Sequence, residues 1–315
     1  MIEQFAKDVD DGLSQAEKKL PSKYFYNKKG DALFVEIMQL PEYYLSRAEM
    51  EIFSGQTADI IQAFKQDKGT YFELIELGAG DGTKTRKLLK QLQIEDYHYD
   101  YIPVDISKNA LDQLEAALHK DLPQVSVKPK HGDYFEILES LKNSHHPKVI
   151  LFLGSNIGNM SDEIASNFLY QLGSNLSNHD KLLLGTDLIK SADVIMPAYN
   201  DKKGVTKAFN FNLLQRMNEE LEATFDIENF DHAPEYDEQQ GIAKSFLKSK
   251  RDHEVAVNAT GKTYQFKQGE KIHTETSRKY NDEILSGILK KTDFTIEHKF
   301  VDAKFYFADY ILQRH

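Results

Sequence analysis

The sequence predicts an α/β fold. It reads as a doubly wound sheet of seven strands, with a second α+β lobe inserted after the fifth strand. Three observations predict it. From residue 71 onward, apolar runs alternate with helical patterns, the rhythm of a parallel sheet crossed by helices. The apolar runs are continuous rather than alternating, so those strands are buried on both faces. Near the C-terminus two further strand patterns are separated by only a short polar segment, which suits an antiparallel hairpin.

The parallel strands are expected at Phe72–Leu77, Tyr99–Val104, Val125–Lys128, Val149–Leu153 and Leu182–Thr186. Helical patterns at Thr85–Leu92, Ala110–Lys120, Tyr134–Leu141 and Ser161–Leu172 lie between them, and the hairpin is expected at Phe294–Phe300 and Phe305–Leu312. Residues 190–280 break the rhythm. Ser191 to Phe225 reads as helical, and Lys244 to Gln265 alternates like antiparallel strands around a turn at Thr260-Gly261-Lys262. The first 50 residues have no place in the parallel sheet. Two domains are therefore expected: a nucleotide-binding domain from 53–189 and 280–315, and a lobe from 1–52 and 190–279.

Bulk properties narrow the function. Acidic residues outnumber basic ones, 50 to 39, for a net charge of -11, which argues against nucleic acid as a partner. The chain has no cysteine, so disulfides and thiolate metal sites are excluded, and a reducing cytoplasm is the simplest setting. Met1 to Ala6 lacks the basic and apolar regions of a signal peptide. The strongest apolar run, Val149 to Gly154, is too short to cross a bilayer. No membrane, no nucleic acid and no metal is expected, and a monomer is the simplest assembly.

The most informative stretch is Glu76-Leu77-Gly78-Ala79-Gly80-Asp81-Gly82-Thr83-Lys84, which follows the first strand and opens a helix. It offers bare backbone to a nucleotide-like cofactor. A dinucleotide loop wants G-x-G-x-x-G, and here Thr83 replaces its last glycine. A plain glycine turn is the bland alternative. Three more turns follow successive strands. Asp105, in Pro103-Val104-Asp105-Ile106-Ser107, is placed to accept ribose hydroxyls, although it could equally serve the next helix as a cap, where Ser107 is the better candidate. Gly132-Asp133-Tyr134 offers an acid to an adenine amino group and an aromatic ring to the base. Gly154-Ser155-Asn156-Ile157-Gly158-Asn159 follows the fourth strand. All four turns fall at the carboxyl ends of strands, where open α/β sheets bind ligands. Lys84 is placed to pair with a carboxylate on the ligand, unless it is simply a solvated lysine.

The E-L-G-x-G-x-G pattern resembles motif I of S-adenosylmethionine-dependent methyltransferases, and the strand order resembles their class I, Rossmann-like sheet. Stretches outside the loop resemble one family in particular. They include Lys23-Tyr24-Phe25-Tyr26-Asn27, Pro41-Glu42-Tyr43-Tyr44-Leu45-Ser46-Arg47-Ala48-Glu49, Leu153-Gly154-Ser155-Asn156-Ile157-Gly158-Asn159, Ala198-Tyr199-Asn200-Asp201 and Thr274-Glu275-Thr276-Ser277. Together they are similar to the L-histidine Nα-methyltransferases of ergothioneine biosynthesis, from about residue 20 to the C-terminus.

The resemblance implies that free histidine is the acceptor and S-adenosylmethionine the cofactor, held by Gly78, Gly80, Lys84, Asp105, Asp133, Tyr134, Gly154 and Tyr26. It places Tyr26 near the methyl-transfer zone, Tyr43 and Asn159 on the α-amino group, Asn159 and Tyr199 on the α-carboxylate, and Glu275 with Ser277 on the imidazole. Those last residue types suit the ring: a carboxylate accepts one N–H, and a hydroxyl serves the other nitrogen. On alternation alone the same pair would be a polar strand facing water. None of the matched acids is an obvious general base, which leaves water and Tyr26 as proton relays. One departure stands out. Ser245, in Ala243-Lys244-Ser245-Phe246-Leu247, occupies the place of a family methionine. That change opens a wider or wetter pocket and, with it, another amino acid or small amine as acceptor. A non-catalytic cofactor-binding protein is the reading from a different class, and the intact Tyr43, Asn159, Tyr199 and Glu275 argue against it.

Overall fold

A computed structural model describes residues 2–132, 134–141, 144–178 and 180–315. In chain order its helices are α1 (Ile2–Leu13), α2 (Lys28–Gln39), α3 (Leu45–Gly55), α4 (Thr57–Phe64), α5 (Thr85–Ile94), α6 (Lys108–Asp121), α7 (Tyr134–Leu141), α8 (Asp162–Ser174), α9 (Ala192–Tyr199), α10 (Val205–Glu220) and α11 (Asp282–Leu289). The first six strands are β1 (Phe72–Leu77), β2 (Tyr99–Asp105), β3 (Ser126–Val127), β4 (Lys130–His131), β5 (Lys148–Phe152) and β6 (Lys181–Asp187). After them come β7 (Phe230–His232), β8 (Glu235–Asp237), β9 (Ile242–Ser249), β10 (His253–Val257), β11 (Lys262–Phe266), β12 (Lys271–Arg278), β13 (Phe294–Val301) and β14 (Phe307–Arg314).

The chain divides into two units. The larger contains Leu45–Ile189 and Arg278–His315, and the smaller contains Met1–Tyr44 and Lys190–Ser277.

The larger unit is built on one sheet, in the order β13-β14-β6-β5-β1-β2-β3, with β4 also paired to β2. Strands β1 to β6 run parallel where they pair, and β14 lies antiparallel to both β6 and β13. Alternate residues of each central strand feed two different cores. Ile75 and Leu77 join Ile150, Phe152, Leu182 and Leu184 under α8 and α11. Phe72 and Leu74 join Val149, Leu151 and Leu183 under α3, α4, α5 and α6. Burial on both faces explains why these strands read as unbroken apolar runs. Each fully buried Leu, Ile or Phe side chain contributes about 1.5–3 kcal/mol.

Two sequence expectations need correction here. The third strand is not one segment over Val125–Lys128. It is two short pieces, β3 and β4, because Pro129 between them has no N–H to give the ladder. The boundary expected near residue 53 falls instead at Leu45. Helix α3 places Ala48, Ile52 and Phe53 in the core beneath β1, so it belongs with the sheet.

The smaller unit has its own core, in which Phe5, Val9 and Leu13 of α1 meet Leu213, Leu214 and Met217 of α10 and Leu247 of β9. Its sheet has the order β12-β9-β7, with β8 on β9, and β10 and β11 form a separate antiparallel hairpin. The helical stretch expected from Ser191 to Phe225 is two helices. Asp201 separates them by accepting the first N–H groups of α10, from Val205 at 3.0 Å and Thr206 at 2.7 Å.

Candidate active site

In the larger unit the loops at the carboxyl ends of β1, β2 and β5 meet. Gly78 has φ of +72°, and a Cβ there would lie 2.7 Å from the Tyr134 hydroxyl and 2.9 Å from Asn156 Nδ2. No side chain fits, so backbone alone lines this point. Gly82 has φ of +61°, and a Cβ would come within 2.4 Å of Leu114 on α6, which gives it the close-packing task of a third glycine despite the shifted spacing. Gly80, between them, is exposed, and a Cβ there would meet nothing within 4 Å.

Asp105 ends β2 and is held by two backbone donors. Gly80 N–H reaches its Oδ2 at 3.1 Å, and Ser107 N–H reaches Oδ1 at 2.8 Å. Each oxygen keeps a further lone pair for a ligand. The helix cap of α6 is Ser107, whose hydroxyl accepts from Ala110 N–H, so Asp105 is not used in that role. Tyr134 packs edge-on against Phe152, with ring centroids 5.9 Å apart, and its hydroxyl lies over Gly78. Asp133 lies outside the described residues. Asn159 closes a short 3-10 turn, Asn156–Asn159, and is exposed. That turn is pinned from below, since Ser155 Oγ accepts from Asp187 N–H at 2.9 Å and Asp187 is ion-paired with the fully buried Lys279 at 2.8 Å.

Lys84 is not a solvated lysine. Its side chain is 22% exposed and ion-paired with the buried Glu49 of α3. The other Glu49 oxygen accepts from Gly154 N–H at 2.8 Å. Burial alone would lower the Lys84 pKa, but the Glu49 carboxylate, with Glu76 and Asp309 adding to it, makes the net shift upward.

Glu76 reads in the sequence only as the start of the glycine motif. It is buried at the end of β1 and accepts from the hydroxyls of Thr85 and Tyr101. Burial pushes its carboxyl up from 4.5 to about 7, against the pull of those hydroxyls and Lys84. The folded chain therefore binds a proton on Glu76 that the unfolded chain gives up at lower pH. The stability this contributes is present below pH 4.5 and is lost as pH rises through about 7. The loss is about 3 kcal/mol. Urea unfolding at about pH 4 and about pH 8 checks it. Wild type should lose that much relative to Glu76→Gln, and an unchanged difference between the two proteins would remove the argument.

The smaller unit carries the remaining candidates. Tyr26 follows a 3-10 turn, Ser22–Phe25, whose carbonyls are held by Asn212 and Arg216 of α10. The residue is 37% exposed, and its ring stands edge-on to Phe34 and Phe209. Tyr43 stands edge-on to Phe34 in turn. Tyr199, the last residue of α9, is buried. Glu275 and Ser277 lie on β12, Glu275 half-buried and Ser277 buried. Ser245 on β9 is completely buried, and its hydroxyl donates to Glu275 Oε2 at 3.2 Å. The Ser245 hydroxyl is therefore a hydrogen-bond partner of the acid rather than an idle gap. Beside it, the Thr274 hydroxyl bonds the Ser245 carbonyl and Asn210 Oδ1, which fixes the two strands against α10.

Among the described residues, no group of three or more His, Cys, Asp or Glu side chains has the arrangement of a metal site, and no helix is long and apolar enough to cross a membrane.

A sheet of this order, with a glycine loop after its first strand and an acid after its second, is that of a class I methyltransferase. The sequence profile described as "Histidine-specific methyltransferase, SAM-dependent" matches residues 5–314, and the chain belongs to that family. It is 35% identical to the histidine N-alpha-methyltransferase of Mycolicibacterium smegmatis over 95% of this chain and 92% of that protein. With the histidine N-alpha-methyltransferase of Mycobacterium tuberculosis it shares 35% identity, over 90% of this chain and 86% of the relative. It is also 30% identical to ergothioneine biosynthesis protein 1 of Schizosaccharomyces pombe, covering 98% of this chain but 40% of that longer protein.

Proposed function

We propose that this chain methylates the α-amino nitrogen of free L-histidine, using S-adenosylmethionine, in successive rounds towards trimethylhistidine. Family membership supports the reaction type. The observation that carries the choice of acceptor is Glu275. It is a half-buried carboxylate on β12, with one oxygen oriented by Ser245, and a carboxylate is the residue type that accepts an imidazole N–H in a charge-assisted bond. Ser277, two residues along the same strand, is the partner for the other ring nitrogen. Tyr43, Asn159 and Tyr199 are assigned the amino and carboxylate groups of the acceptor.

The cofactor reading fits the larger unit. The open face at Gly80 lies beside Asp105, whose spare lone pairs suit a ribose diol, and the Lys84 ammonium suits a carboxylate. Gly78, Gly154, Tyr134 and Asp133 complete that assignment, with Tyr26 on the smaller unit. When bound, S-adenosylmethionine supplies a sulfonium-activated methyl group. The chain's own task is alignment of the acceptor lone pair, since in-line transfer depends on proximity. The acceptor amine is mostly protonated near neutral pH and must first lose a proton, to water or through the Tyr26 hydroxyl. Aromatic faces at Tyr26 and Tyr43 tolerate the growing ammonium charge.

A second reading keeps the transfer and changes the acceptor to another amino acid or small amine, and Ser245 favours it. A hydroxyl at the place where the family resemblance implies a thioether suits a polar side chain as well as a ring.

The test is calorimetric titration with S-adenosylhomocysteine, followed by turnover with a panel of free amino acids read by product mass. Histidine should give products heavier by one, two and three methyl groups. Preference for a non-imidazole amino acid would overturn the acceptor, and no binding of S-adenosylhomocysteine would overturn the cofactor. In the same titration Asp105→Ala should weaken binding by about 2–3 kcal/mol, because a charged acceptor is lost. Unchanged affinity would remove Asp105 from the ribose site.

A further inference from the structure

Glu49 has no role in the assignments above, yet it touches two of the groups given to the cofactor. It stands in the middle of α3, 0% exposed. One of its oxygens holds the Lys84 ammonium, and the other accepts the Gly154 N–H. It thus ties the loop after β1 to the loop after β5. A buried charged side chain with both oxygens committed in this way is costly unless the geometry is used.

The ground behind Glu49 is built for it. A Cβ on Gly185 of β6 would come within 2.6 Å of Glu49 Oε1 and 3.1 Å of Asp309 Oδ1, so only glycine leaves room for the two acids. Asp309 on β14 is fully buried, and neither of its oxygens has a hydrogen-bond partner among the described residues. Burial, and then the charge of Glu49, push its pKa well up. Glu76, the third acid near Lys84, is held by Thr85 and Tyr101. Of these three acids, Glu49 alone forms an ion pair with Lys84.

We propose that Glu49 is a positioning residue for the amino-acid end of the cofactor. It does not touch the ligand, because its side chain is only 1% exposed, whereas that of Lys84 is 22% exposed. It keeps the Lys84 ammonium charged and aimed where a ligand carboxylate enters. It also sets the Gly154 backbone beside that ammonium, where a Cβ on Gly154 would stand 3.6 Å from Lys84 Nζ. The inference rests on the reading that this unit takes S-adenosylmethionine.

The test compares two probes that share the nucleoside and the thioether. S-adenosylhomocysteine carries the amino-acid end, and 5′-methylthioadenosine lacks it. Glu49→Gln keeps the shape of the side chain and can still accept from Gly154, but loses the charge. It should weaken S-adenosylhomocysteine about tenfold and leave 5′-methylthioadenosine within about twofold. Equal weakening of both probes, or of neither, would overturn the proposal. Should Glu49→Gln fail to fold because Lys84 is left unpaired, the comparison moves to Lys84→Met with and without Glu49→Gln. The ratio of the two affinities should then be the same in both proteins, because Glu49 acts through Lys84. A further fall in the double variant would overturn the proposal. A wild type that binds neither probe would instead refute the cofactor reading on which it rests.

Discussion

Glu275→Ala should lower kcat/KM for histidine by about 2–4 kcal/mol of transition-state stabilisation, with little change in S-adenosylhomocysteine affinity. The variant strips a charge-assisted partner from a ring N–H, and it also strands the Ser245 hydroxyl, which now donates to Glu275 Oε2 at 3.2 Å. The loss should be far smaller for an acceptor without a ring N–H. Ser245→Met is the companion variant. It removes the hydroxyl that orients Glu275 and crowds a completely buried position, so histidine turnover should fall. The measurement is kcat/KM for histidine and a panel of amino acids in all three proteins. A wild type that prefers a non-imidazole acceptor and is indifferent to Glu275→Ala would end the histidine reading and leave methyl transfer standing.

Asn159→Ala should nearly abolish turnover while the cofactor still binds. The side chain is exposed at the end of the turn after β5, free of the buried Asp187–Lys279 ion pair that anchors that turn, so removing it should not disturb the loop. Its amide can accept from an amine and donate to a carboxylate at once, and alanine can do neither. Single-turnover kinetics and S-adenosylhomocysteine titration separate the outcomes. A variant that loses the cofactor and keeps its acceptor affinity would move Asn159 to the other end of the site.

The sheet was readable because burial on both faces leaves its mark in each strand alone: Ile75 and Leu74 are both apolar whichever core they enter. The glycine loop was readable for a similar reason, since positive φ demands glycine locally. What the sequence hid was partnership at long range. Nothing near Glu49 announces Lys84 or Gly154, and Asp309 signals only by being a lone acid within Phe307-Ala308-Asp309-Tyr310-Ile311. The break in the third strand traces to Pro129, a signal that lies just outside the expected strand, and α3 falls on the other side of the expected boundary because an amphipathic helix does not say which core it will face. Ser245 was legible as a departure from the family, but its bond to Glu275 was not, because the two residues meet across neighbouring strands.

The point where the chain leaves the sheet bears on how such enzymes diversify. Ile189 N–H donates to the Tyr280 carbonyl at 2.9 Å and Tyr280 N–H to the Asp187 carbonyl at 2.7 Å, so exit and return are zipped side by side. Everything from Lys190 to Ser277 hangs from that clasp. The loop-closure entropy of the insert is met by the clasp itself and grows only slowly with the insert's length. A change in the length of the stretch that carries Tyr199, Ser245 and Glu275 therefore adds little closure cost to the β-sheet scaffold.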